Sequence, residues 1–241
     1  MTVIVEPTQF DFHAAAALAR FLGRHPFFDH CVQSALHHHL LGGIPFAATL
    51  FYFWVQAERE HREDALRRLI TILVGSLGAI ALSLVAGKII SWLPPQRQPG
   101  LAHLYPSYLL TDPNTNSFPS DSTALFTSIA LGILSLNRIA GAALLAAVLV
   151  IVSLPRMYVG GHYPTDVLAG LLIGFVAYWI SRFAFDRTLS AQILSAGTRP
   201  GWRRILLETC VFLWILEVAV SFQEGVWIVN ALAYFHVKLP G

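Results

Sequence analysis

Charge is what this sequence has little of. Charged residues make up 12% of the chain, against roughly 25% in ordinary soluble domains. The deficit runs in long blocks, which argues against a soluble protein. A formal net charge of +2 is small, and no basic patch interleaved with aromatics is present, which excludes nucleic acid as a partner. Cysteine is scarce as well. Cys31 and Cys210 stand far apart, without metal-type or redox-type spacing, and read as small apolar side chains facing helices or lipid. Residues 1–10 carry Glu6 and Pro7 and lack a basic start followed by an apolar core. Membrane insertion is therefore expected to rest on internal segments, not on a leader.

What the chain has in abundance is apolar sequence, 55% of 241 residues. A helix crossing the hydrocarbon core needs about 20 mainly apolar residues. Candidate spans lie at residues 40–55, 69–93, 119–136, 139–154, 164–183 and 205–222. They predict an all-α, polytopic membrane helix bundle of about six transmembrane helices. Residues 10–22 are rich in Phe, Leu and Ala but short, and close on Arg24-His25-Pro26, which predicts an interfacial helix. The chain thus divides into an N-terminal interfacial segment, 1–36, and a membrane-embedded domain, 37–241. Residues 226–237 form a further apolar stretch too short to cross.

Orientation follows from the basic residues in the connections. The links 56–68, 137–138 and 181–204 hold ten of the sixteen Lys plus Arg. The other side holds Arg20, Arg24, Lys88, Arg97, Arg156 and Lys238. Three of those six, Lys88, Arg97 and Arg156, are site candidates. The links 56–68 and 181–204 are therefore expected to face the cytoplasm, and 94–118 and 155–163 to face outward with both termini.

The outward links carry polar residues in a pattern that suggests chemistry. In PRMYVGGHYPTD, Arg156 precedes His162 by six residues and Asp166 follows it by four. Pro164 suits a first helical turn, so His162 would sit just before a helix start and Asp166 within its opening turn. A carboxylate there can fix the tautomer of the imidazole and leave its other nitrogen free to attack. Gly160 and Gly161 let the chain turn sharply ahead of it. The link ending in NSFPSDS also runs into an apolar helix. With Pro119 near the first helical position, backbone N–H groups beside Ser120, Asp121 and Ser122 form a cradle for an anion. Lys88, late in an apolar helix, and Arg97, in a Pro-rich turn, are cations that need an anion or water to receive them. Each feature alone is more often plain capping or snorkelling. Together they place three cations, two helix N-termini and one supported imidazole on one face, a combination that suits a phosphoryl group. A metal is not expected. His37-His38-His39 is the one dense histidine run and has no acidic or Cys ligand spacing beside it.

On these residues the chain resembles the type 2 phosphatidic acid phosphatase (PAP2) superfamily, in its membrane lipid phosphate phosphatase branch. That family carries Lys-x6-Arg-Pro, Pro-Ser-Gly-His and Ser-Arg-x5-His-x3-Asp motifs. Arg156, His162 and Asp166 match the third motif most specifically. The resemblance implies His162 as a nucleophile forming a phosphohistidine, Asp166 as its orienting group, and Arg156 and Ser120 as phosphate binders. It implies no cofactor and a lipid phosphate or diphosphate as substrate; with the basic-residue count, the site is expected on the non-cytoplasmic face of a bacterial inner membrane.

Three positions depart from the motifs. Eight residues separate Lys88 and Arg97, and Gln98 precedes Pro99. Pro155 stands where the third motif has Ser. Ser122 stands where the second-motif His would protonate the leaving group. A lipid diphosphate such as a polyprenyl diphosphate expels a phosphate monoester with a second pKa near 6, which leaves without an acid. Ser122 therefore tilts the expected substrate toward diphosphates, with His103 as another proton source. The alternatives are phosphotransfer to a second acceptor, or a catalytically silent relative that binds lipid. Finally, Gly170 and Gly174 form a small-x3-small step that serves either a neighbouring helix of the same chain or a homodimer.

Overall fold

The computed structural model describes residues 8–37, 40–91, 117–185 and 202–220. Among these the chain is helical throughout and contains no strand. Arg97, His103, His38, His39 and the stretch 226–237 lie outside the described residues.

The N-terminal segment is two helices, not one. α1 (Gln9–Ala19) opens with a capping box in which Thr8 accepts from the Asp11 N–H and Asp11 accepts from the Thr8 N–H, satisfying end donors reciprocally. Gly23, at φ +75°, turns the chain through a conformation that favours glycine. Pro26, expected to close a helix, instead opens α2 (Pro26–His37). A first helical position tolerates its missing N–H.

The bundle is built on three mutually packed helices, α4 (Glu63–Ser91), α5 (Asp121–Leu136) and α8 (Pro164–Phe185). Lipid gives helices no hydrophobic reason to associate, so close backbone approach and dispersion must do it. The glycines supply that approach. A Cβ on Gly170 would lie 2.5 Å from the Ser120 carbonyl oxygen, and one on Gly174 2.4 Å from that of Ala124. The small-residue step is thus taken up by α5 within the chain. Gly132 of α5 admits Ile72 of α4, and Gly75 of α4 admits Ser181 of α8. α3 (Leu40–Arg59) packs on α4 and α5, with the Phe46 and Phe126 rings 4.3 Å apart. α9 (Trp202–Ala219) lies against α3, where Gly43 meets Ala219.

The outer surface is apolar. Leu84 and Ile89 of α4, Leu172 and Phe183 of α8, and Phe212 of α9 are each more than half exposed. Such a surface is a liability in water and natural against lipid tails. Three helical stretches are long and apolar enough to cross a membrane, Glu63–Ile89, Arg138–Tyr158 and Pro164–Ala184, and α5 is apolar but shorter. By length and composition, the expected six spans become three among the described residues.

The second of these stretches is not uniform. α6 (Arg138–Ala147) passes through a π turn at Val148–Ser153 into α7 (Leu154–Tyr158). Pro155 has no N–H to continue the regular ladder. The Arg156 guanidinium, through Nη1, donates to the Val152 carbonyl at 3.0 Å.

Candidate functional site

The N-terminal ends of α5 and α8 lie side by side, because Gly170 lets α8 run against the Ser120 carbonyl. The Ser120 N–H donates to the Asp166 carbonyl across the junction at 3.2 Å. Behind it, Gly87 near the end of α4 faces Phe118 and Pro119. The Phe118–Pro119 peptide is cis. The first turns of two helices are thus gathered at one end of the bundle.

His162 stands at this junction with its side chain 16% exposed. Its Nδ1 lies 2.8 Å from the Ser117 carbonyl oxygen and 3.9 Å from Asp166 Oδ2. A carbonyl only accepts, so Nδ1 carries the proton and Nε2 keeps its lone pair. Asp166 is fully buried, and its Oδ2 accepts from the Tyr163 N–H at 2.8 Å. The nearest partner of Nδ1 is therefore Ser117, a residue that the sequence pattern does not single out. A backbone carbonyl has no residue-type signature, so no motif could have revealed it. Burial, and next the Arg156 charge, lower the His162 pKa below its ordinary value. The imidazole is neutral at pH 7.

Arg156 reaches across from α7 to α5, where Nη2 donates to Ser122 Oγ at 3.0 Å. Ser122 in turn donates to Asp121 Oδ1 through its N–H, 2.6 Å, and its hydroxyl, 3.2 Å. Ser120 was expected beside free N–H groups. It is the α5 N-cap, but its hydroxyl makes no capping bond. It pairs with Thr123 Oγ1 at 2.8 Å, which pairs with Ser153 Oγ at 3.1 Å. This buried hydroxyl chain ties α5 to the π turn. The helix itself starts at Asp121, two residues after Pro119.

The structure thus brings together Ser120, Asp121, Ser122, Arg156, His162 and Asp166. Lys88 is exposed near the end of α4. No group of three or more His, Cys, Asp or Glu that could hold a metal occurs among the described residues. The arrangement offers a neutral imidazole with one nitrogen tied back, a guanidinium on a hydroxyl, and two helix starts. That set can hold a tetrahedral dianion against a nucleophile.

Comparison with known proteins agrees in kind. Residues 69–189, half of the chain, match the PAP2 superfamily, and the chain belongs to it. YbjG of Escherichia coli, an inferred undecaprenyl-diphosphatase, is 28% identical over 64% of this chain and 68% of its own length. The undecaprenyl-diphosphatase BcrC of Bacillus subtilis is 29% identical over 55% of this chain and 64% of its own. The undecaprenyl-diphosphatase of Sulfolobus acidocaldarius is 32% identical over 49% and 53%. The chain spans less than two thirds of the latter two relatives. Among solved structures, the transmembrane PAP2 type phosphatidylglycerolphosphate phosphatase of Bacillus subtilis is similar at 21% identity, with a TM-score of 0.45, over 76% of this chain and 89% of that one. The apolar helices and the family together make this an integral membrane protein.

Proposed function

We propose that the chain is a lipid diphosphate phosphatase. It transfers the terminal phosphoryl group of a polyprenyl diphosphate to His162, then to water, on the non-cytoplasmic face. One observation carries the reading: Nδ1 of His162 is tied to the Ser117 carbonyl, so the nitrogen with a lone pair is Nε2, on a ring that feels the Arg156 charge. Three similar proteins that bear undecaprenyl-diphosphatase names support the substrate class.

In the first step the Nε2 lone pair forms a bond to the terminal phosphorus as the bridging P–O bond breaks. The lipid monophosphate leaves with the bonding electrons. Its second pKa of about 6 makes a proton donor unnecessary. Arg156 and the α5 N-terminus balance charge on the equatorial oxygens, with Lys88 and Arg97 as further cations. Asp166 stabilises the positive charge on the phosphorylated ring. Ser122, held by Asp121, sets the angle of Arg156. In the second step water attacks phosphorus and Nε2 recovers its electron pair.

The test is phosphate release by purified protein from a polyprenyl diphosphate, together with acid-labile, alkali-stable labelling from a substrate labelled in its terminal phosphate. His162→Ala should lose at least roughly 10³-fold in kcat and all of the label. Turnover by His162→Ala near the parent rate would reject the phosphohistidine. Label appearing on an added alcohol would instead mark a phosphotransferase.

A further inference from the structure

The reacting loop contains two adjacent glycines, whose ordering is costly. Residues 159–163 contain Gly160, at φ +80°, and Gly161, and glycine loses more freedom on ordering than any other residue. Gly161 N–H and His162 N–H donate to the Arg156 carbonyl of α7, at 2.8 and 3.3 Å, and Gly160 N–H to that of Met157, while Tyr163 N–H donates to the Asp166 carboxylate of α8 at 2.8 Å. Contacts from outside the loop add to these in setting how α7 and α8 meet.

Two fully buried carboxylates of the N-terminal helices reach both sides of this loop. Asp11 of α1 accepts from the Thr165 N–H at 3.1 Å and the Thr165 hydroxyl at 2.9 Å. Thr165 lies in the first turn of α8, between His162 and Asp166. Asp29 of α2 accepts from the Tyr158 hydroxyl at 2.5 Å and from the Gly23 N–H at 2.8 Å. Tyr158 ends α7, two residues beyond Arg156, and its ring meets Phe28 edge-on at 5.7 Å. The grips thus fall immediately before and immediately after the nucleophile's loop.

Apolar burial does not explain this docking. α1 buries only Asp11 and Ala15, while Phe10 and Phe12 remain largely exposed. Nor would a neutral amide serve at position 11. Thr8 and Thr165 each bring an N–H and a hydroxyl to Asp11. A carboxylate has about four acceptor sites, whereas an amide turns an NH₂ toward one of those donors.

We propose that α1 and α2 form a clamp on the active-site loop, with Asp11 and Asp29 as positioning residues for His162. The clamp rests on the phosphohistidine reading for what it positions. Its contacts stand apart from that reading.

The experiment is a pair of double-mutant cycles in the full-length protein, Asp11→Asn with Thr165→Val and Asp29→Asn with Tyr158→Phe. Misplacing a reacting atom by about 1 Å costs on the order of 10²-fold. Each single variant should therefore lower kcat by roughly 10-fold to 10²-fold, with KM for the lipid diphosphate little changed. Within a pair the double variant should be no worse than the worse single one, because the same contact is lost twice. Amide exchange in residues 159–166 should speed up while α4 and α5 keep their protection. Thr165→Val and Tyr158→Phe remove only a hydroxyl, so they stand in if an aspartate variant does not fold. Folded variants with parent kcat and unchanged loop exchange would overturn the clamp. So would a loss spread equally across α4 and α5, which marks general destabilisation. An active His162→Ala would overturn the phosphohistidine instead, and leave the exchange result standing.

Discussion

At the scale of the residue, the site turns on two departures from simple expectation. His162 has its Nδ1 nearest the Ser117 carbonyl, with the buried Asp166 carboxylate further away. Its pKa is lowered, first by burial and then by Arg156. On the proposed mechanism the reacting form is the neutral ring, so kcat/KM should fall only as pH drops through a value below the ordinary 6.5. Arg156→Gln removes one lowering influence and should move that acid limb to higher pH. Profiles of kcat/KM between about pH 4.5 and 8 report the free enzyme and read the shift directly. An unmoved limb, or one moved downward, would contradict the coupling. Ser122 bears on the substrate instead. It receives a hydrogen bond from Arg156, and a serine is no leaving-group acid at neutral pH. The protein should therefore hydrolyse lipid diphosphates faster than phosphatidate by up to the roughly 10²–10⁴-fold that a positioned acid supplies. Comparable rates on the two lipids would mean that another proton donor acts. Arg156, His162 and Asp166 stood out in the sequence by their spacing, and the fold brings them together. Ser117 did not, since it acts through its main chain.

At the scale of the element, apolar runs predicted helices where helices occur, and what they missed is instructive. The second helix beyond Gly23 was missed, because Pro26 signals a helix start as readily as a stop. The π turn at Val148–Ser153 ends where Ser153 hydrogen-bonds Thr123 of α5, a contact not visible in a run of Val and Leu. Gly170 and Gly174 left two partners open in sequence, because spacing tells that a backbone comes close but not whose. The structure places α5 there, and this yields a graded expectation. Gly170→Ala and Gly174→Ala each put a methyl within about 2.5 Å of a backbone oxygen of α5, so α8 must shift. Overpacking of this kind costs about 1–3 kcal/mol, and both variants should unfold at lower temperature. Gly170→Ala should also lose activity, since it displaces Ser120 and the bond between Ser120 and Asp166. Gly42 meets nothing within 4 Å, so Gly42→Ala in α3 is the control and should not destabilise. Equal behaviour of all three in thermal unfolding would refute the close approach.

At the scale of the whole molecule, the bundle has two unlike ends. The starts of α5 and α8 and the end of α4 form the His162 end. At the other end Arg68 donates to the Ser135 carbonyl at 2.9 Å, and Arg68, Arg138 and Arg182 line one cavity with Trp179. Arg59 and Arg62 flank the α3–α4 turn, which belongs to this end as well. The sequence could count basic residues per link. Only the fold shows that links distant in sequence pool theirs at a single pole. Arginine held at one pole of a membrane bundle is retained on the cytoplasmic side, so the His162 end should face outward. In a Cys31→Ser, Cys210→Ser background, Arg20→Cys and Ser107→Cys should react with an impermeant thiol reagent applied to intact cells. Glu60→Cys, on the exposed turn after α3, should react only once the membrane is opened. Each variant must retain phosphatase activity, which certifies its fold. The reverse labelling pattern would put His162 on the cytoplasmic side. The enzyme would then meet its lipid diphosphate in the inner leaflet, and the basic pole would need a reason other than retention during insertion.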